Sequence, residues 1–148
     1  VNTAYDNGFD LKFKDAKQFH SQFWNILFPG VRDLGTKLKY AFDKGELLVN
    51  DFGYRINPEN NHKVSNYWIQ STVSGIMKMF AEYLYQECPW AMQVCVIHDE
   101  ELATYPIERR EEFKKGVDKA MKRVNDQLNW SIKIRTGFVT GKTWYEAK

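Results

Sequence analysis

One stretch decides the fold: Met92-Gln93-Val94-Cys95-Val96-Ile97-His98-Asp99-Glu100-Glu101-Leu102. Its first six residues are mostly apolar and rich in β-formers, which predicts a buried strand. His98-Asp99 falls where the chain would turn, and residues 101–104 can return as a second strand, which predicts a hairpin with a two-residue tip. A carboxylate on such a tip is held by a rigid element and shielded from water, so Asp99 is a candidate metal ligand. The alternative is a polar turn after a core strand, because acidic turns are common.

The composition predicts a packed globular chain. Of 148 residues, 43% are hydrophobic and 16% aromatic, which suffices for one domain or part of a larger one and argues against disorder. The net charge of +2 is too small to demand nucleic acid and does not exclude it. No run of about 18 apolar residues exists, so we expect no membrane span. Cys88 and Cys95 fit no metal-ligand spacing and are predicted to be reduced core thiols in a cytoplasmic-type compartment.

The first third of the chain predicts two helices and a hairpin. Asp15 can cap a helix that continues to Phe28, where Pro29-Gly30 would end it. A second helix is expected over residues 31–43. Residues 46–49 and 54–56 are predicted to be short strands around the turn Asn50-Asp51-Phe52-Gly53.

The remainder predicts two long helices flanking the central hairpin. The first runs from about Asn60 to Gln86, and its core stripe is Ile69, Val73, Ile76, Met77, Phe80 and Leu84. The second runs from Glu108 to Leu128, with Phe113, Val117, Met121 and Val124 as its buried stripe. The alternating residues Ser131–Arg135 predict a half-buried strand. Because strands do not alternate regularly with helices, the fold class is α+β, with a small antiparallel sheet packed against long helices.

A polar face on the first long helix is a second candidate site. His62, Asn66 and Gln70 are each four residues apart, so they share one side of a helix. The spacing alone favours the alternative, a solvated face without a binding role.

Several motifs, in order, resemble the C-terminal part of family A DNA polymerases, the group of bacterial DNA polymerase I and many phage replicative enzymes. His98-Asp99-Glu100 resembles the family's motif C, and Asn66-Tyr67-Trp68-Ile69-Gln70-Ser71 resembles its Asn-x-x-x-Gln-(Gly/Ser) helix, in the form closest to phage members. The earlier segments that resemble the family's passage from fingers to palm are Asp15–Gln18, Phe28–Arg32 and Asp51–Arg55, and the ending Gly141-Lys142-Thr143-Trp144 resembles its Gly-x-x-Trp finish.

The resemblance implies a role for each motif residue. Asp99 would be the motif C ligand of catalytic Mg²⁺, Glu100 a weaker or indirect contributor, and His98 a neighbour of the primer terminus. His98 is otherwise a turn histidine bonded to the backbone. Asn66 and Gln70 would contact the primer–template duplex, including minor-groove acceptors that occur on every base pair. His62 stands where the bacterial enzymes carry an arginine.

The resemblance also implies a division of the chain and a missing partner. Residues 1–58 would be the fingers-to-palm connecting helices and hairpin, and residues 59–148 the palm core with the motif C hairpin and a C-terminal strand. The family's motif A aspartate and motif B helix are not in this sequence, which begins at Val1 rather than Met, so we expect a processed or excised piece. We therefore expect a split or cleaved DNA-directed DNA polymerase, inactive as an isolated chain, whose partner polypeptide supplies the rest of the site for dNTP and Mg²⁺.

Two other functions are compatible with the residues. One is a non-catalytic nucleic-acid-binding accessory module of replication, which would keep the face of His62, Asn66 and Gln70 but not need Asp99. The other is a purely structural domain with an accidental motif, which would have no affinity for primed duplex DNA.

Overall fold

The fold is α+β, as the sequence predicts. The structure, a computed structural model, describes residues 12–147. Within them lie four α-helices and one two-stranded antiparallel sheet. Internal contacts divide the chain into two compact units, Val1–Ile69 and Gln70–Lys148. The functional division at residue 58 stays a prediction.

The first unit begins with two consecutive helices, α1 (Phe13–Gln22) and α2 (Pro29–Asp43), joined by a π-helical segment, Phe23–Leu27. The predicted cap at Asp15 is wrong, because Lys12 occupies the N-cap position and Asp15 lies in the first turn. The predicted helix end before Pro29 is confirmed, because the helical run ends at Leu27 and Phe28 has non-helical angles (φ −132°, ψ 53°). Pro29 itself opens α2, where proline's fixed φ and missing N–H are tolerated.

The small core of the first unit lies after α2. Leu48, Ile56 and Val64 are buried there. The half-buried residues packed against them are Leu38, Ala41, Phe42, Tyr67 and Trp68. The predicted strands at residues 46–49 and 54–56 do not form, because their pairing is limited to one isolated bridge between Val49 and Arg55.

Helix α3 (Val64–Glu87) follows a 3₁₀ turn, Asn61–Lys63, whose N-cap Asn60 accepts a hydrogen bond from the Lys63 N–H. Most of the predicted core stripe of α3 is buried or half-buried. Ile69 is the exception, since 49% of it is exposed.

The second unit packs the C-terminal part of α3 against helix α4 (Arg110–Leu128). The buried residues are Met77, Phe80 and Leu84 of α3, Phe113, Val117, Ala120, Met121 and Val124 of α4, and Cys88 and Ala91 between them. The predicted stripe of α4 is therefore confirmed, and helical period explains it because residues three and four apart share a face.

The predicted strand at Ser131–Arg135 is wrong. Helix α4 ends at a left-handed Asn129 (φ 49°), and residues 129–140 form no strand. The Asn125 side chain instead takes the place of a pairing strand: its Oδ1 accepts from the Ile134 N–H at 2.8 Å, and its Nδ2 donates to the Ile134 carbonyl at 2.9 Å. An alternating sequence without a neighbouring strand can satisfy its backbone in this way.

The two cysteines differ in burial and neither is in a disulfide. Cys88 is buried in the core of the second unit, as predicted, whereas Cys95 is exposed and not a core thiol. None of the helices within residues 12–147 is long and apolar enough to cross a bilayer.

Candidate active-site hairpin and helix face

The central hairpin forms as predicted. Strands β1 (Met92–Ile97) and β2 (Glu100–Thr104) pair antiparallel, and the pair Ile97–Glu100 closes a two-residue tip made of His98 and Asp99. His98 has a positive φ of 57°, as the first tip position of a primed turn requires. The tip therefore holds three consecutive candidate residues, His98, Asp99 and Glu100, at the end of a paired ladder.

The hairpin tip is more exposed to solvent than the sequence predicts. His98, Asp99 and Glu100 are all exposed, and no ion pair to Asp99 forms among residues 12–147. Strand β1 is not the buried strand that was predicted, because half of Val94 and 46% of Val96 are exposed. The prediction that the tip shields the Asp99 carboxylate from water is therefore wrong, because Asp99 is exposed.

The sheet packs against the helices near the pair Gln93–Ala103. The Gln93 side chain donates from Nε2 to the Ala81 carbonyl of α3 at 2.7 Å, and its partner Ala103 on β2 packs on the core. A register shift between Gln93 and Cys95 marks a bulge at Val94. This inner side holds the sheet on the second unit.

Glu101 is a residue that the sequence analysis missed. It pairs with Val96, two positions before Ala103, so it shares the inner side of β2. The side chain is half-buried, and its Oε2 is buried without a hydrogen-bond partner among the described residues. Burial raises the pKa of Glu101 from 4.5 to about 7, because the charged form loses hydration that no donor replaces. The alternation of side chains from the two-residue tip is the signal that could have found it.

The described residues do not complete a metal centre. No group of three His, Cys, Asp or Glu side chains with metal-binding placement exists within residues 12–147. Asp99 and Glu100 can offer carboxylate oxygens, which suit Mg²⁺, but a Mg²⁺ site needs further ligands. The residues present fit at most a part of a two-metal site.

The polar helix face is exposed, in agreement with the prediction. Asn66 and Gln70 lie one turn apart in α3, and His62 lies in the 3₁₀ turn before it. All three side chains are exposed. Amide groups held on a helix can donate to acceptors of a ligand, and their fixed spacing follows from the helix.

No family model, no curated protein and no solved structure matches this chain.

Proposed function

We propose that this chain forms the C-terminal palm part of a DNA-directed DNA polymerase of the family A type. In this proposal Asp99 supplies one carboxylate of a two-metal nucleotidyl-transfer site, and Asn66, Gln70 and His62 contact the primer–template duplex. The reaction takes place in the cytoplasm, in a phage-infected host cell if the enzyme is phage-encoded.

The observation that carries the proposal is the hairpin tip. The His-Asp-Glu sequence coincides with a two-residue tip between paired strands, so the Asp99 carboxylate is projected at the end of a rigid element and is accessible to a ligand. Glu100 opens the returning strand beside it. His98 is the other residue of the same two-residue tip.

Mg²⁺ is the cofactor that the proposal requires. Two such ions, about 3.5–4 Å apart, would activate the primer 3′-hydroxyl and stabilise the leaving pyrophosphate. Asp99 alone cannot hold them, since the described residues offer no third ligand. A second polypeptide stretch with another carboxylate strand and a helix for the incoming dNTP must complete the site.

In this proposal the helix face binds the primer–template duplex and takes no part in nucleotidyl transfer. Amide side chains can donate to the N3 and O2 acceptors of the minor groove, which every base pair presents. Such contacts report the shape of a base pair without reading its identity. The exposure of Asn66, Gln70 and His62 is compatible with this use.

The exposed polar helix face also suits a second candidate function, a non-catalytic nucleic-acid-binding accessory module. Asn66 and Gln70 are exposed on α3 and need no metal ion to contact DNA. An accessory module would bind primed DNA through Asn66 and Gln70, and Asp99 would be dispensable.

Primer extension with matched variants distinguishes the two functions. The chain would be purified from its native source under mild conditions, co-purifying chains identified by mass spectrometry, and extension assayed with Mg²⁺. We expect no extension by the isolated chain, extension by the complex, and loss of extension with Asp99→Ala. Glu108→Ala, which removes an exposed carboxylate from the 3₁₀ turn Ile107–Arg109, is the control and should extend normally. Robust synthesis by the isolated chain, or full activity of Asp99→Ala in the complex, would contradict the polymerase proposal.

A further inference from the structure

A second feature that suits nucleic acid lies in the first unit. The segment 50–55, here called the aromatic loop, carries Phe52 and Tyr54 with their ring centroids 6.1 Å apart and their planes 18° from parallel. Phe52 is half-buried, and 40% of Tyr54 is exposed. Tyr54 is thus an exposed aromatic residue whose ring stacks on a second ring.

The aromatic loop is fixed by its backbone. Asn50 is buried, and its Oδ1 accepts hydrogen bonds from the N–H groups of Phe52 and Tyr54, both at 2.9 Å. The Asn50 N–H donates to the Tyr54 carbonyl at 3.0 Å, and Gly53 takes a positive φ of 76° between the two rings. These bonds fix the backbone that carries the two rings before any ligand arrives, which lowers the entropy lost on binding.

Positive charge accompanies the rings. Arg55 follows Tyr54, is exposed, and forms no ion pair within residues 12–147. The aromatic loop itself carries one acid, Asp51, and one cation, Arg55, both exposed. Arg55 is next to Tyr54 along the chain, and its long side chain offers a cation for the phosphate that accompanies each base of a nucleic acid.

We propose that the aromatic loop binds single-stranded nucleic acid, with an unpaired base stacked on Tyr54 and an adjoining phosphate held by Arg55. Phe52 supports the Tyr54 ring from behind. Stacking tolerates every base, because each has a π-face, so the site would have little sequence preference. The proposal uses none of the hairpin residues and does not depend on the role of Asp99.

Fluorescence anisotropy of a labelled oligothymidylate of about 20 nucleotides, long enough for one binding site, tests the proposal with the whole chain. Tyr54→Leu should weaken binding at least about fivefold, because the stacked base is lost. Tyr54→Phe keeps the ring and should retain affinity. Tyr145→Leu, which removes a tyrosine that is 90% exposed in the second unit, is the control and should bind normally. Tyr54→Leu binding like the parent, or Tyr54→Phe losing as much as Tyr54→Leu, would overturn the proposal.

Two further measurements separate stacking from other contacts. Arg55→Gln should reduce the slope of log affinity against log salt by about 0.7, the value for one phosphate contact on a single strand. An abasic oligonucleotide of equal length should bind the unaltered chain at least about fivefold more weakly, which tests stacking without any variant that must fold. Equal binding of the abasic strand, or Tyr54-dependent binding of an oligoproline peptide in place of the oligonucleotide, would refute the assignment.

Discussion

Replacing Glu101 by glutamine should stabilise the chain at neutral and alkaline pH and have little effect in acid. Burial raises the pKa of Glu101 from 4.5 to about 7, so the folded chain holds this proton more tightly than the unfolded chain does. Between these two pKa values unfolding releases the proton, and the free energy of unfolding falls as the pH rises. Below 4.5 the group is protonated in both states, and above 7 it is ionised in both, so the effect changes only within this window.

The magnitude follows from the same pKa values. A rise from 4.5 to about 7 corresponds to about 3 kcal/mol of preference for the neutral form. Because Glu101 is only half-buried, solvent screens part of the charge, and we discount this to about 1.5 kcal/mol. Glutamine keeps the shape and carries no charge, so Glu101→Gln should gain about 1.5 kcal/mol above pH 7 and almost nothing near pH 4.5.

Urea unfolding, followed by circular dichroism across this pH range, gives the free energy of unfolding of parent and variant. The expected result is a difference that grows as the pH rises through the window and is constant above it. Glu100→Gln is the matched control, since Glu100 is the exposed neighbour at the start of the same strand, and its difference should be small at every pH. A stability difference for Glu101→Gln that does not change with pH would refute the argument.

Two other substitutions test the packing of the second unit. Gly116→Ala should lower the free energy of unfolding by about 1–3 kcal/mol, because the added Cβ would overlap the Cys88 Sγ. In urea unfolding, the double variant with Cys88→Ala should recover most of this loss. An unchanged stability of the single variant would contradict the close approach. Asn125→Ala should lower the free energy of unfolding by about 1–3 kcal/mol, because both backbone groups of Ile134 lose their partner. It should also accelerate hydrogen exchange of the Ile134 amide. Unchanged protection of that amide would show that the Asn125 hydrogen bonds do not hold the segment.

The helices and the hairpin tip were predictable because each rests on a local pattern. Apolar residues at helical spacing placed Leu84 and Val124 in the core correctly. The apolar run followed by His98-Asp99 gave the tip, since two polar residues between β-forming stretches favour a tight turn. Both signals depend on residues close in sequence.

The wrong predictions concern segments whose structure depends on contacts with other elements of the fold. Alternation at residues 131–135 shows that a strand is possible, but a strand needs a neighbour, and Asn125 fills that place instead. An apolar sequence in β1 cannot tell whether another element covers the strand, and in the structure 50% of Val94 and 46% of Val96 stay exposed. Glu101 was missed because hydrophobicity alone does not give the register, although the two-residue tip fixes it.

The sequence predicted where the candidate site residues lie in the fold, but not how exposed their surroundings are. The sequence correctly expected an exposed helix face at Asn66 and Gln70, and it placed Asp99 on the tip. It did not foresee the exposure of the strand that carries Asp99. Whether these side chains act in nucleotidyl transfer stays a prediction, since that depends on ligands contributed from outside the described residues.

Because Cys88 is buried and Cys95 is exposed, the chain offers one natural position for attaching a fluorescent dye. Burial, assisted by the nearby Glu112 and Glu87 carboxylates, raises the pKa of the Cys88 thiol, so little reactive thiolate forms there near neutral pH. Cys95 is exposed on β1, three residues before the tip. A maleimide dye should therefore attach to the sheet without any engineered cysteine. Its emission would register whatever comes to cover that sheet, whether a polypeptide or a DNA duplex.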